Sequence, residues 1–161
     1  MHTKEEVFAL LSEIPDPEIP VISIVELGVI REILIEGNHI EVFITPTYSG
    51  CPAMKQMEDD VRKKLSENGF DEIKSTIIYS PAWTTDWLSE EAKLKLQNYG
   101  IAPPEETTSD KSFLTNSKKN ITCPRCKNKN TVMISQFGST ACKALYQCKE
   151  CLEAFDYFKC I

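Results

Sequence analysis

Seven cysteines stand in this chain of 161 residues, and four are spaced as metal ligands are: Cys123-Pro124-Arg125-Cys126 and Cys148-Lys149-Glu150-Cys151. Two intervening residues let both sulfurs of a pair point to one side of a tight turn. Two such knuckles supply the four thiolates of a closed tetrahedral Zn²⁺ site. The 21 residues between the pairs slightly exceed the usual gap of about 15 to 20, a difference that a hairpin absorbs. A disulfide pair, a redox Cys-x-x-Cys or a cluster site would use the same residues. No signal peptide is legible, so a reducing cytoplasm is expected, and neither pair sits in the strand-helix context of a redox motif.

A fifth cysteine, Cys51, is followed by Pro52. Proline favours the first position of a helix, so Cys51 is expected at the N-cap. There, free backbone N–H groups and the helix dipole stabilise a thiolate and lower its pKa. Such a sulfur is a nucleophile or a soft-metal ligand; the alternative is a small buried hydrophobe. Asp16 and Glu18 flank Pro17 in a constrained turn, as carboxylates held beside a site or as a solvated turn bonding its own backbone. Thr45, Thr47 and Tyr48 offer hydroxyls just before Cys51. His2 and His39 fall at a terminus and a turn, away from any ligand pair. No phosphate-binding glycine loop, Gly-x-Ser-x-Gly or His-Glu-x-x-His is present. Cys142 and Cys160 are left over and are expected reduced, packed beside the metal.

Positioning these residues requires an α+β scaffold. Thr3 and Glu6 form a capping box ahead of Val7, Leu10, Leu11 and Ile14 at helical spacing, and Pro15 ends that helix. Strands are predicted over 29–35 and 40–45, joined by a turn at 36–39. The loop 45–52 leads into a helix marked by Met54, Met57, Val61 and Leu65 and closed by Asn68-Gly69. A strand over 73–79 and a helix capped by Ser89 and ending near Gly100 complete an α-β-β-α-β-α domain over residues 1–101. Pro103-Pro104, Glu105-Glu106 and many Thr, Ser and Lys make 102–120 a linker. A zinc ribbon is expected over 121–161, with Thr131 to Phe137 as a strand and Phe155, Tyr157 and Phe158 as its small core.

The net charge of −6 hides a division, because residues 1–110 carry 9 basic and 21 acidic side chains and residues 111–161 carry 9 basic and 3 acidic. The body is near −12 and the tail near +6. An acidic body repels phosphates, which counts against nucleic-acid binding. No apolar run reaches the roughly 18 residues of a membrane span.

Two stretches carry a family resemblance. Asp16-Pro17-Glu18-Ile19-Pro20 with 23–31 and Thr45 to Met54 resemble the small domain shared by SufT-type iron-sulfur assembly factors and cytosolic iron-sulfur targeting proteins. Phe137-Gly138-Ser139-Thr140-Ala141-Cys142-Lys143-Ala144-Leu145-Tyr146, both knuckles and the ending 155–160 are similar to the D-type accessory subunit of the bacterial phenylacetyl-CoA epoxidase system. The resemblance implies a non-catalytic factor that helps to assemble a di-iron or iron-sulfur centre, with the oxygenase or reductase components as partners. It places the motif cysteine on Cys51 and the D-P-E residues on Asp16, Pro17 and Glu18, and implies transient iron or cluster contact there. Glu26 stands where the family often has Asp before Leu-Gly. Two other classes compete: a nucleic-acid-binding ribbon, which lacks an extended basic run, and an enzyme with Cys51 as nucleophile, which lacks a histidine base nearby. An oligomer is compatible with all three.

Overall fold

A computed structural model describes residues 2–105 and 120–159. The chain divides into two compact units, residues 1–83 and 84–161.

In the first unit, α1 (Lys4–Leu11) starts with the expected capping box, Thr3 and Glu6 each bonding the other's backbone N–H. Strands β1 (Ile30–Glu36) and β2 (His39–Ile44) form an antiparallel hairpin. Helix α2 (Ala53–Glu67) then crosses to β3 (Glu72–Ile77), which pairs parallel to β2 and gives the sheet order β1-β2-β3. Ile40, Val42 and Ile44 are buried, as their alternation predicts. Val7 and Leu11 of α1 and Met57, Val61 and Leu65 of α2 are buried as well. Trp83 is buried, and its indole N–H donates to the Leu27 carbonyl at 2.9 Å.

The second unit opens with a 3₁₀ turn at Thr85–Trp87 and α3 (Glu90–Tyr99), capped by Ser89 at one end and by left-handed Gly100, φ 97°, at the other. Four strands follow: β4 (Ile101–Ala102), β5 (Thr131–Ser135), β6 (Lys143–Cys148) and β7 (Ala154–Phe158), in the sheet order β4-β7-β6-β5. The boundary differs from the one the sequence suggests. Helix α3 groups with the ribbon, and Ile101 and Ala102 pair with Asp156 and Tyr157 of β7. Ala102, expected to start the linker, is a buried strand residue, and Glu105 accepts a hydrogen bond from the Thr122 amide at 2.9 Å. A two-residue strand paired to a partner 55 positions away leaves no local signature, so the helix-ending glycine reads as a domain end. Residues 106–119 of the expected linker lie outside the described residues.

Candidate functional site

The ribbon knuckles are built alike. The Cys123 amide bonds the Asn128 carbonyl at 2.9 Å, and the Cys148 amide bonds the Glu153 carbonyl at 2.8 Å, each five residues on. The residue after each second cysteine is left-handed, Lys127 and Leu152 both at φ 63°. This sharp turn leaves amides pointing at sulfur. The Cys151 and Glu150 amides hold the Cys148 thiol down to about 7, against the burial that opposes them. Four sulfurs crowded together resist full ionisation. Although the Glu153 amide favours its thiolate, Cys151 is pushed up to about 12 by desolvation and by the neighbouring sulfurs of Cys126, Cys123 and Cys148. A divalent cation removes that conflict.

The geometry fits one. The four sulfurs lie within 4.8 Å of one another, with Cys123 to Cys151 at 3.7 Å and Cys126 to Cys148 at 3.5 Å. A tetrahedron with Zn–S bonds of about 2.3 Å has edges of about 3.8 Å. Cys123 and Cys148 sit in one cluster with Ala102, Ile121, Ala144, Tyr146, Phe155 and Tyr157, so the metal ligands are also core residues. Tyr146 stacks on Phe155 and meets Tyr157 edge-on, with centroids at 6.1 and 5.6 Å. Phe158 is buried too.

The Phe137 to Tyr146 motif finds a structural reason. Asp156 accepts from the Ser139 hydroxyl at 2.7 Å and from its amide at 3.3 Å, and Lys143 donates to the same hydroxyl at 3.0 Å. A Cβ on Gly138 would collide with an Asp156 oxygen, so only glycine lets the loop close. Cys142 is buried with its sulfur 3.0 Å from the Thr140 hydroxyl, outside the four-sulfur group. Cys160 lies outside the described residues.

Cys51 departs from its expected setting in two ways. Pro52, not Cys51, takes the N-cap position of α2, one residue later than anticipated. The thiol pKa is raised, not lowered, by burial first and then by the charges of Glu18 and Asp16. Hydrogen bonds from the Ala53 amide and the Tyr48 hydroxyl favour the thiolate but do not prevail. The helix end does aim an N–H at the sulfur; burial among carboxylates outweighs it. Gly50, φ 77°, is third in the turn that closes with the Cys51 amide on the Tyr48 carbonyl at 3.3 Å. That left-handed position sets where Cys51 stands.

Asp16 is buried, not solvated, and one of its oxygens accepts from the Glu18 and Ile19 amides at 2.9 and 2.7 Å. Its first duty is to cap its own turn. Glu18 is half-buried. Cys51, Glu18, Asp16 and Tyr48 therefore share one electrostatic neighbourhood. Among the described residues, however, the four ribbon cysteines are the one group of three or more Cys, His, Asp or Glu whose ligand atoms converge closely enough to share an ion. Thr45, at the mouth of the same loop, is buried with its hydroxyl unbonded among the described residues. Glu26 has a local role that the sequence did not reveal: its carboxylate accepts from the Ser23 amide at 2.9 Å while the Ser23 hydroxyl accepts from the Glu26 amide at 3.1 Å. That reciprocal cap fixes the turn after the D-P-E segment.

Comparison with known proteins agrees with this division. Residues 4–70 match the iron-sulfur cluster assembly protein family, and residues 107–159 match the PaaD zinc beta ribbon domain. The D-type protein of Escherichia coli (strain K12) that bears the name "Putative 1,2-phenylacetyl-CoA epoxidase" is 47% identical over 97% of this chain and 92% of its own length. The chain belongs to that family of D-type epoxidase subunits. An Fe-S protein maturation auxiliary factor of Porphyromonas gingivalis is 35% identical over 60% of this chain and 92% of its own length. The crystal structure of a domain of unknown function from Bacillus anthracis superimposes with a TM-score of 0.55 at 31% identity, covering 58% of this chain and 90% of that one. The epoxidase relative thus spans both units, whereas the maturation factor matches a shorter stretch. No helix among the described residues is long and apolar enough to cross a membrane.

Proposed function

We propose that this chain is a non-catalytic maturation factor that passes iron or an iron-sulfur cluster through Cys51 to a metal centre of the phenylacetyl-CoA epoxidase components, in the cytoplasm. The observation that carries it is one thiol, kept protonated by burial and by the carboxylates of Glu18 and Asp16, in a unit that matches the iron-sulfur assembly family. Those carboxylates oppose the thiolate and favour a cation, so an arriving iron displaces the thiol proton. The carboxylates do not close around the sulfur, which leaves coordination positions for the client's own ligands. An incomplete shell suits transfer; four converged cysteines suit retention. The ribbon accordingly holds structural Zn²⁺ through Cys123, Cys126, Cys148 and Cys151.

The test is metal analysis of the oxygenase and reductase components produced with this protein, without it, and with Cys51→Ser. Iron-poor or cluster-poor components in the last two cases are expected. Full loading alongside Cys51→Ser would return Cys51 to a packing role.

A further inference from the structure

The ribbon sheet has two edges of unlike character. Strand β4 is two residues long, which blunts its edge, whereas β5 has five residues and β6 on one side only. Val132, Met133 and Ile134 are 39, 42 and 54% exposed, and Phe137 just beyond is 66% exposed. Natural edge strands are commonly protected by inward charges, lysines or prolines. This strand carries none of them, although a bulge lies between Met133 and Ser135. Apolar side chains on both faces and backbone groups along one side form a template for another strand.

Charge says which strand. Residues 120–149 hold five Lys or Arg and no Asp or Glu. Lys127 and Lys129 precede β5, and the Lys149 amide bonds the Asn130 carbonyl at its start. At the far end the Lys159 ammonium donates to the Gln136 carbonyl at 3.0 Å and lies 4.9 Å from the Phe137 ring centroid. None of these four lysines has an ion pair with a described carboxylate; the carboxylates of the second knuckle are engaged, Glu153 by Arg125 and Glu150 by Asn130.

We infer that β5 takes an extended, acidic segment of a partner protein by strand addition, with alternate apolar side chains against Val132, Met133, Ile134 and Phe137 and carboxylates on the flanking lysines. This holds whether or not Cys51 handles iron.

The test uses the full zinc-loaded chain and two labelled eight-residue peptides, one alternating glutamate with valine and one alternating lysine with valine. Amide exchange of the protein and fluorescence anisotropy of the peptides are followed at low and high salt. The acidic peptide should bind at least about tenfold more tightly than the basic one, weaken with salt, and slow exchange across 131–137. Ile134→Glu should abolish binding, and Lys129→Glu combined with Lys149→Glu should reverse the preference, with zinc content and circular dichroism unchanged in both. Equal binding of the two peptides, or none, overturns the inference. So does tighter binding of a single-stranded oligonucleotide at the same residues, a concentration-dependent dimer broken by Ile134→Glu, or β5 amides already fully protected in the free monomer.

Discussion

Cys148 and Cys51 are both buried thiols that receive backbone N–H groups at sulfur, yet their ionisation moves in opposite directions. In the knuckle the amides of Cys151 and Glu150 win, and the thiol falls to about 7. In the loop before α2, burial wins with the help of Glu18 and Asp16, and the thiol rises. The donor is the same kind in each; the company differs. Converged sulfurs demand a permanent cation, whereas a lone sulfur among carboxylates waits protonated until one arrives.

The sharpest way to break this comparison is to remove the metal from one side only. Chelation, or Cys123→Ser, should unfold the ribbon, since structural zinc in such modules carries apparent binding free energies of about 10–16 kcal/mol and Cys123 and Cys148 belong to the core. The first unit buries its own apolar residues and should keep its melting transition. Zinc stoichiometry with calorimetry checks this: one Zn²⁺ per chain is expected, and a Cys123→Ser protein that retains it with a folded ribbon would refute the closed-site reading.

Cys51→Ser tests the other side, where function and stability should separate. Serine nearly preserves the volume and accepts the same bonds from the Ala53 amide and the Tyr48 hydroxyl. Urea unfolding should therefore shift by less than about 1 kcal/mol. A loss of several kcal/mol would make the cysteine a packing residue after all.

Glu18→Gln should then move the thiol without removing it. Because the folded thiol is raised above the ordinary thiol range, Cys51 should be alkylated more slowly than a free cysteine at neutral pH, where the unfolded chain holds more thiolate. For the same reason the stability contributed by its retained proton is present below the unfolded pKa. It is lost as pH rises from there toward the folded value. Removing the Glu18 charge should lower the alkylation midpoint, read by peptide mass spectrometry at Cys51. An unchanged midpoint would mean that burial alone sets the shift. Glu18 is the cleaner choice because Asp16 also caps its turn.

What was legible in the sequence follows the range of the interactions. The capping box at Thr3 and Glu6, the alternation in β2 and the two Cys-x-x-Cys pairs all act within a few residues, and the structure has them where local patterns put them. The sense of the Cys51 shift was not legible. It depends on Glu18 and Asp16, more than 30 positions away, while the local signal, a helix start beside proline, points the other way. The membership of α3 and the strand Ile101–Ala102 likewise depend on β7. Asp16 was legible by type but not by duty, because only burial distinguishes a solvated turn from a capped one.

The smallest expected effect lies within the ribbon, where the two knuckles differ in what they lose when strain is relieved. Lys127 and Leu152 both occupy φ 63°, a region that costs a residue with a Cβ about 1 kcal/mol relative to glycine. The Leu152 side chain is 70% exposed, so little packing opposes its removal. Lys127 donates to the Pro124 carbonyl at 2.8 Å and would forfeit that bond. Leu152→Gly should therefore stabilise the knuckle by about 0.5–1 kcal/mol after the extra freedom of glycine in the unfolded chain is counted. Because ribbon folding is linked to metal binding, this appears as zinc affinity tighter by about two- to fivefold, measured by competition with a chelator. Lys127→Gly should gain less. Equal gains would mean that the Pro124 bond contributes nothing; weaker zinc binding in Leu152→Gly would mean that the leucine holds the knuckle through contacts that outweigh its backbone strain.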